Sequence, residues 1–252
     1  MPLRDNATCR RLTGIRPTGR MHIGHYFAVI KPALELDATV LIAEYHAPQS
    51  SAVDIQSMAV TLHRFGVEDI CLQSRVFEPH LYFKLLSIAR VGELERMTQY
   101  MTAGDNNDAH LLVYPVLMVH DVFGYDEILV GDDQEQHINY ARDLIGRYNR
   151  EFKASIRLPQ ARPVGGRVMS LTEPTKKMSK SEPDGCLFLD DSPADVERKI
   201  KTATMTDEGH SNLVKLYRDL GGAENIPSMN SKFKPMVATA ILRALNNVHE
   251  EV

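Results

Sequence analysis

At 252 residues, 43% hydrophobic and 25% charged, the chain has ordinary globular usage and enough length for one large domain with a small appendage. Its net charge of −4, from 29 basic against 33 acidic residues, excludes an overall basic field, so any nucleic-acid contact rests on a local patch. Cys9, Cys71 and Cys186 lie far apart with no Cys-x-x-Cys, which argues against a disulfide framework or a zinc site and suits a reducing cytosol. The first residues, Met-Pro-Leu-Arg-Asp-Asn, lack the apolar run of a signal peptide, and no stretch approaches the roughly 20 apolar residues of a membrane helix. These features predict a soluble, cytoplasmic protein with no membrane partner.

In chain order, Thr13 to Gly19 is a turn-rich loop, and Met21 to Ile30 reads as the helix that follows it. Thr39 to Tyr45 reads as a buried strand and Asp69 to Ser74 as another. Between them Ile55 to Phe65 has helical spacing, with Met58, Leu62 and Phe65 on one side. Strand, helix, strand in this rhythm predicts an α/β fold, a doubly wound parallel sheet with helices on both faces. Tyr114 to Tyr125 is a further helix, which would put Tyr114, Met118, Asp121 and Tyr125 on one face. From Ser192 the pattern is all helical. Ser192-Pro-Ala-Asp195 is a capped start, a second helix runs from Ser211 to Leu220, and the third carries Phe233, Met236, Val237, Ala240, Ile241, Ala244, Leu245 and Val248 on one face. The expected division is a Rossmann-like catalytic domain over 1–191 and a short helical region over 192–252.

Two motifs carry chemistry. In His22-Ile-Gly-His25 the two rings sit three residues apart and so face the same way on a helix, with Gly24 leaving space for something flat or bulky. A helix start after a glycine loop also offers N–H groups to phosphate. Alone, this pattern is equally a Gly-Pro loop with two surface histidines. Lys177-Met-Ser-Lys-Ser181 reads as a mobile cationic loop whose ammonium groups can follow charge on a triphosphate. A lysine run is more often just a solvated loop. Asp121, a carboxylate among apolar neighbours, needs a donor, which a backbone N–H, an arginine or a ligand could supply. His46 by itself fits a satisfied histidine at a strand end. Asp132-Asp133, without further ligands, is poor ground for a metal site, and none is expected.

Together, the histidine motif after the first strand and the lysine loop near the end of the sheet resemble the signature pair of class I aminoacyl-tRNA synthetases. Tyr114 to Tyr125 resembles the amino-acid pocket of the bacterial tryptophanyl-tRNA synthetases. The resemblance implies that Asp121 accepts a hydrogen bond from the indole N–H, that Met118 packs on the ring, that Tyr114 lies near the ammonium, and that His46 is a pocket histidine. Relatives that activate tyrosine usually carry glutamine where Met118 stands. Gly131-Asp-Asp-Gln134 is similar to a loop in which Gly131, Asp132 and Asp133 would meet the ATP ribose and Gln134 the main-chain groups of tryptophan. Val91 to Tyr100 looks like a stretch that the family places near its dimer interface, and Gly165 to Leu171 resembles the strand leading to the lysine loop, with the Val168 backbone beside adenine.

The implied ATP contacts are Arg16, Pro17, Thr18, Gly24, His25, Gly131, Asp132, Asp133, Gln134, Val168, Lys177, Met178, Ser179, Lys180 and Ser181. His22, Gly24, His25, Lys177, Ser179 and Lys180 would carry the chemistry, with closure of the loop around Met178. The implied partners are L-tryptophan, ATP with Mg²⁺ carried on it, tRNA(Trp), and a second copy of the chain. The sequence departs from the family at Arg16, where glutamine is common, at His120, where small residues are common, and at Glu44, which replaces an aspartate in a shortened segment. It ends at Val252, where relatives continue into further helices. Two alternatives stay open, a tyrosine-specific ligase and a shortened paralogue that binds tryptophan or ATP without charging tRNA.

Overall fold

The computed structural model describes residues 9–104, 108–131, 134–165, 167–222 and 232–246. The strands are β1 (Arg11–Ile15), β2 (Thr39–Ile42), β3 (Ile70–Leu72), β4 (Glu127–Val130) and β5 (Gln160–Pro163). The first helices are α1 (Ile23–His25), followed by a π-turn over Tyr26–Ile30, then α2 (Lys31–Leu36), α3 (Ala52–Arg64) and α4 (Gln73–Val76). Then come α5 (Pro79–Ile88), α6 (Val91–Leu94), α7 (Thr98–Thr102), α8 (Ala109–Val122) and α9 (Glu135–Phe152), and last α10 (Pro193–Thr202), α11 (Asp207–Asp219) and α12 (Phe233–Asn246).

The chain forms two compact units. The first unit comprises Met1–Pro17, Pro32–Ser50 and Asp69–Val164 and holds the whole sheet. All pairings are parallel and the order is β3-β2-β1-β4-β5. Starting from β1 the chain adds strands outward on one side and then the other, so the sheet is doubly wound with a switch point between β1 and β4. Val40, Leu41 and Ile42 are buried in succession, as expected of a strand covered on both faces. The edge strand β5 is polar and ends in Pro163, which a central strand would not tolerate. Leu85, Val116, Val119, Ile138, Leu144 and Ile145, on α5, α8 and α9, pack with Leu12, Leu41 and Ile128 into one core.

Both predicted strands, β2 and β3, are shorter than expected. β2 stops at Ile42 and turns through Glu44–His46, while β3 stops at Leu72 and turns into α4. Side chains take over the freed backbone groups: Tyr45 N–H donates to Gln73 Oε1 (2.8 Å) and Ser74 N–H to Glu44 Oε2 (2.8 Å). α8 ends at Val122, so Tyr125 does not share the face of Asp121. A turn with Gly124 at φ 83° redirects the chain, and Tyr125 is buried beneath the Arg10 guanidinium at 4.6 Å.

The second unit comprises Thr18–Lys31, Ser51–Glu68 and Gly165–Val252. α3 starts in a capping box between Ser51 and Asp54 and buries Met58 and Leu62, the stripe expected from spacing. α10 is capped by Ser192 with Pro193 next, as predicted. α11 begins at Asp207, four residues before the predicted start, because Thr206 Oγ1 captures Gly209 N–H. No side chain fits at 209, since a Cβ would collide with the Thr204 carbonyl. α12 buries Phe233, Val237, Ala238, Ile241 and Leu245; Met236, Ala240 and Ala244 are half-buried, so the apolar stripe is narrower than predicted. Val248 lies outside the described residues. The predicted helix Met21–Ile30 is interrupted by the π-turn, in which Lys31 N–H reaches back to Tyr26 O. Pro32 follows at once; its ring would crowd the Ala28 carbonyl in a regular helix, and the widened turn relieves it.

Candidate active site

In the first unit the turn after β2, the start of α4 and the last turn of α8 bring three side chains to one point. Asp121 is only 6% exposed at its side chain. Its Oδ2 lies 2.7 Å from His46 Nε2, and Gln73 Nε2 donates to both carboxylate oxygens at 2.8 Å. The orientation of the Gln73 amide follows from its other end, where Oε1 accepts from Tyr45 N–H. His120 Nδ1 approaches Asp121 Oδ1 at 3.5 Å, while its Nε2 accepts from Glu78 N–H at 3.0 Å. Burial pushes the Asp121 carboxyl up, but hydrogen bonds from His120, His46 and Gln73 outweigh it and hold the group below the usual carboxylate range. The carboxylate is therefore ionised, and His46 Nε2 is the donor to it.

Tyr114 stands edge-on to the His46 ring, with centroids 4.4 Å apart, and Met118 lies one turn before Asp121 on α8. Both are half-buried. Tyr114 also meets His137 of α9 at 5.9 Å, and Gln134 is the N-cap residue of α9, its N–H bonded to Gly131 O. Asp132 and Asp133 lie outside the described residues. Arg16 is exposed and Pro17 buried where the chain leaves β1. Gln73 and His120 were missed by sequence reasoning as parts of this cluster. The available signal was a glutamine closing a short apolar strand and a histidine beside the aspartate on an apolar helix. Such a group can anchor the fold or receive a ligand N–H: one buried anion, with half-buried Tyr114 and Met118 on the same helix.

In the second unit the two motifs come together. His22 Nδ1 accepts from Gly24 N–H (3.0 Å), and His25 Nδ1 accepts from His22 N–H (3.0 Å). With both Nδ1 atoms accepting, each neutral ring carries its proton on Nε2, so both are hydrogen-bond donors there. Burial, then the charge of Lys180 and Lys177, lowers the His22 pKa to about 4. For His25, burial, then His22 and Lys180, lowers it to about 3. The rings are 4.0 Å apart. The expected free N–H groups at this helix start are already used: Ile23 N–H donates to Leu187 O, Gly24 N–H to His22 Nδ1 and His25 N–H to His22 O. Anion binding here falls to side chains.

The lysine loop is less free than predicted. Met178 N–H donates to Val168 O (2.9 Å), Met169 bridges Lys177, and the buried Met178 Sδ accepts from Leu187 N–H. Met178 is thus an anchor, and the Val168 carbonyl already accepts from it. Lys177 is exposed. Lys180 Nζ reaches Thr18 O (3.1 Å) and Thr18 Oγ1 (3.2 Å), and Ser179 and Ser181 hydroxyls pair at 2.8 Å. Within this unit the structure brings Thr18, His22, His25 and Lys180 together.

Residues 4–234 match the family model for class I tRNA synthetases (W and Y). The tryptophan–tRNA ligase of Bacillus anthracis is 36% identical, covering 95% of this chain and 85% of its own length. That of Bacillus subtilis (strain 168) is 31% identical, covering 94% and 85%. Among solved structures, tryptophanyl-tRNA synthetase from Mycoplasma pneumoniae superimposes with a TM-score of 0.81 at 29% identity, over 94% of this chain and 85% of the other. The Campylobacter jejuni enzyme, complexed with ADP and tryptophan, gives 0.75 at 26% identity, over 94% and 86%.

Proposed function

The chain belongs to the class I tRNA synthetases for tryptophan and tyrosine, and from that premise we propose that it is a tryptophan–tRNA ligase, joining L-tryptophan to tRNA(Trp) at the expense of ATP. The observation that carries the choice of amino acid is the buried, ionised Asp121 with apolar Met118 one turn away. A carboxylate offers about four acceptor positions; Gln73, His46 and His120 all reach Asp121, and the indole N–H takes the place of the longest of these contacts, His120 Nδ1 at 3.5 Å. Met118 lies flat against the ring, where its polarizable sulfur suits an extended π-surface. Tyr114 and Gln134 face the ammonium and main-chain groups, and His46 closes the pocket wall.

The residues assigned to ATP, which carries its Mg²⁺ with it, are Arg16, Pro17, Gly131, Asp132, Asp133 and Gln134 in the first unit. In the second unit they are Thr18, Gly24, His25, Val168 and the loop Lys177, Met178, Ser179, Lys180 and Ser181. The tryptophan carboxylate attacks the α-phosphorus, and pyrophosphate leaves. No protein nucleophile is required, so catalysis consists of positioning and charge stabilisation. His22 and His25 donate from Nε2 to phosphate oxygens without adding charge, and the Lys177 and Lys180 ammonium groups neutralise the charge that develops on the leaving pyrophosphate. The terminal ribose hydroxyl of tRNA then attacks the adenylate carbonyl, and AMP leaves.

The helical region 192–252 is assigned to the anticodon side of the tRNA. A homodimer is supported by apolar side chains at the surface of the first unit, Phe83 (65% exposed), Val91 (58%) and Met101 among them. A cytoplasmic location follows from the reaction, which serves translation. The deciding experiment is exchange of labelled pyrophosphate into ATP with tryptophan and tyrosine side by side. Exchange with tryptophan alone is expected; exchange with tyrosine alone would overturn the reading of the Asp121 pocket.

A further inference from the structure

A buried ion pair in the second unit has no place in the chemistry above. Lys199, on α10, and Asp191 have side chains only 5% exposed each, with Lys199 Nζ 2.6 Å from Asp191 Oδ2. Lys199 Nζ also donates to Cys186 O at 2.8 Å and lies 4.9 Å above the Phe188 ring, whose contact with Arg20 is 4.0 Å. Asp191 Oδ2 in turn accepts from Phe188 N–H at 2.9 Å. One ammonium thus holds both ends of the segment from Cys186 to Asp191.

That segment touches both motifs. On one side Ile23 N–H donates to Leu187 O (2.8 Å), Leu189 N–H donates to Met21 O (3.0 Å), and His22 bridges Phe188. On the other, Leu187 N–H donates to Met178 Sδ (3.4 Å), at the centre of the lysine loop. Within the second unit, the entry to the histidine motif and the anchor of the lysine loop hang on one short stretch of chain. Burying two charges is costly, and apolar residues of similar size often serve stability as well or better. A pair kept under that cost is explained by what it holds in place.

We infer that Lys199 is a positioning residue for the activation step: by clamping Cys186 and Asp191 it sets where His22 and Lys180 stand relative to each other. This rests on the ligase reading of the preceding section. Lys199 touches no substrate, and it acts through the 186–191 segment.

The test uses the full chain with Lys199→Met, Lys199→Arg and the double variant Lys199→Met/Asp191→Asn. The double variant removes both charges and keeps an acceptor for Phe188 N–H, so it separates positioning from an unpaired buried carboxylate. In tryptophan-dependent pyrophosphate exchange, kcat of the folded double variant is expected to fall roughly 10- to 100-fold, the scale of a small misplacement of reacting groups. Its KM for tryptophan should stay within about twofold of the wild type, because the Asp121 pocket is untouched. Lys199→Arg, which keeps the charge, should recover most of the rate. Amide hydrogen exchange of the peptide spanning 178–188 should quicken in the double variant. Wild-type kcat in the double variant overturns the inference. If the wild-type chain itself exchanges no pyrophosphate, the ligase reading fails instead, and unchanged protection of 178–188 in the double variant then refutes the clamp independently.

Discussion

Replacing Asp121 by asparagine removes one charge and almost no volume from a side chain that is 6% exposed. The amide can keep part of the network: its oxygen takes the Gln73 amide, whose orientation the Tyr45 N–H holds, and its NH₂ turns to His46, which must change tautomer to accept. What it cannot supply is a charged acceptor for a ligand N–H. Hydrogen bonds to charged groups contribute about 1.5–3 kcal/mol, which corresponds to tryptophan binding roughly 10- to 150-fold more weakly. The chain contains no tryptophan, so the fluorescence of the ligand indole can be titrated without a protein background. The control ligand is the benzothiophene analogue of tryptophan, equal in shape and lacking the N–H. Its affinity should be nearly the same in wild type and Asp121→Asn. If the variant binds tryptophan as the wild type does, or loses both ligands equally, Asp121 is a structural carboxylate and the assignment of the indole N–H is wrong.

Three further outcomes are expected. Because His22 and His25 are neutral in the fold, with pKa values lowered from 6.5 to about 4 and about 3, the unfolded chain binds more protons in acid. Stability from these two groups is therefore constant above about pH 6.5 and falls as pH drops from there through 4 to 3; urea melts at pH 7 and 5 should show the loss, and His22→Asn should make it shallower. Lys180→Met deletes an ammonium now held by Thr18 and should lower kcat for pyrophosphate exchange on the order of 100-fold while tryptophan affinity, read by fluorescence, is unchanged. Ser192→Ala removes the cap of α10, whose Oγ accepts from Asp195 N–H at 3.1 Å, and should cost about 1 kcal/mol in denaturant unfolding.

Local pattern alone determined a good part of this protein. Alternation of apolar strands with helical spacing was enough for a doubly wound sheet, the Ser192-Pro193 start placed α10, and the Met58-Leu62 stripe placed α3, because each depends on neighbours within a turn or two. The His22 and Lys177 motifs and Asp121 were also legible, as short strings whose residue types suit phosphate and a buried N–H donor. Their partners were not. Gln73 meets Asp121 across 48 positions and Thr18 meets Lys180 across 162, and no periodicity encodes such pairs. The same holds for the proton positions on His22 and His25, which follow from which backbone N–H each Nδ1 accepts, and for Lys199, whose charge reads in sequence as an ordinary solvated helix face. Where strands end and helices turn, as at His46, Gln73 and Tyr125, the outcome depended on side chains capturing backbone groups from distant segments, and only the tertiary structure decides that.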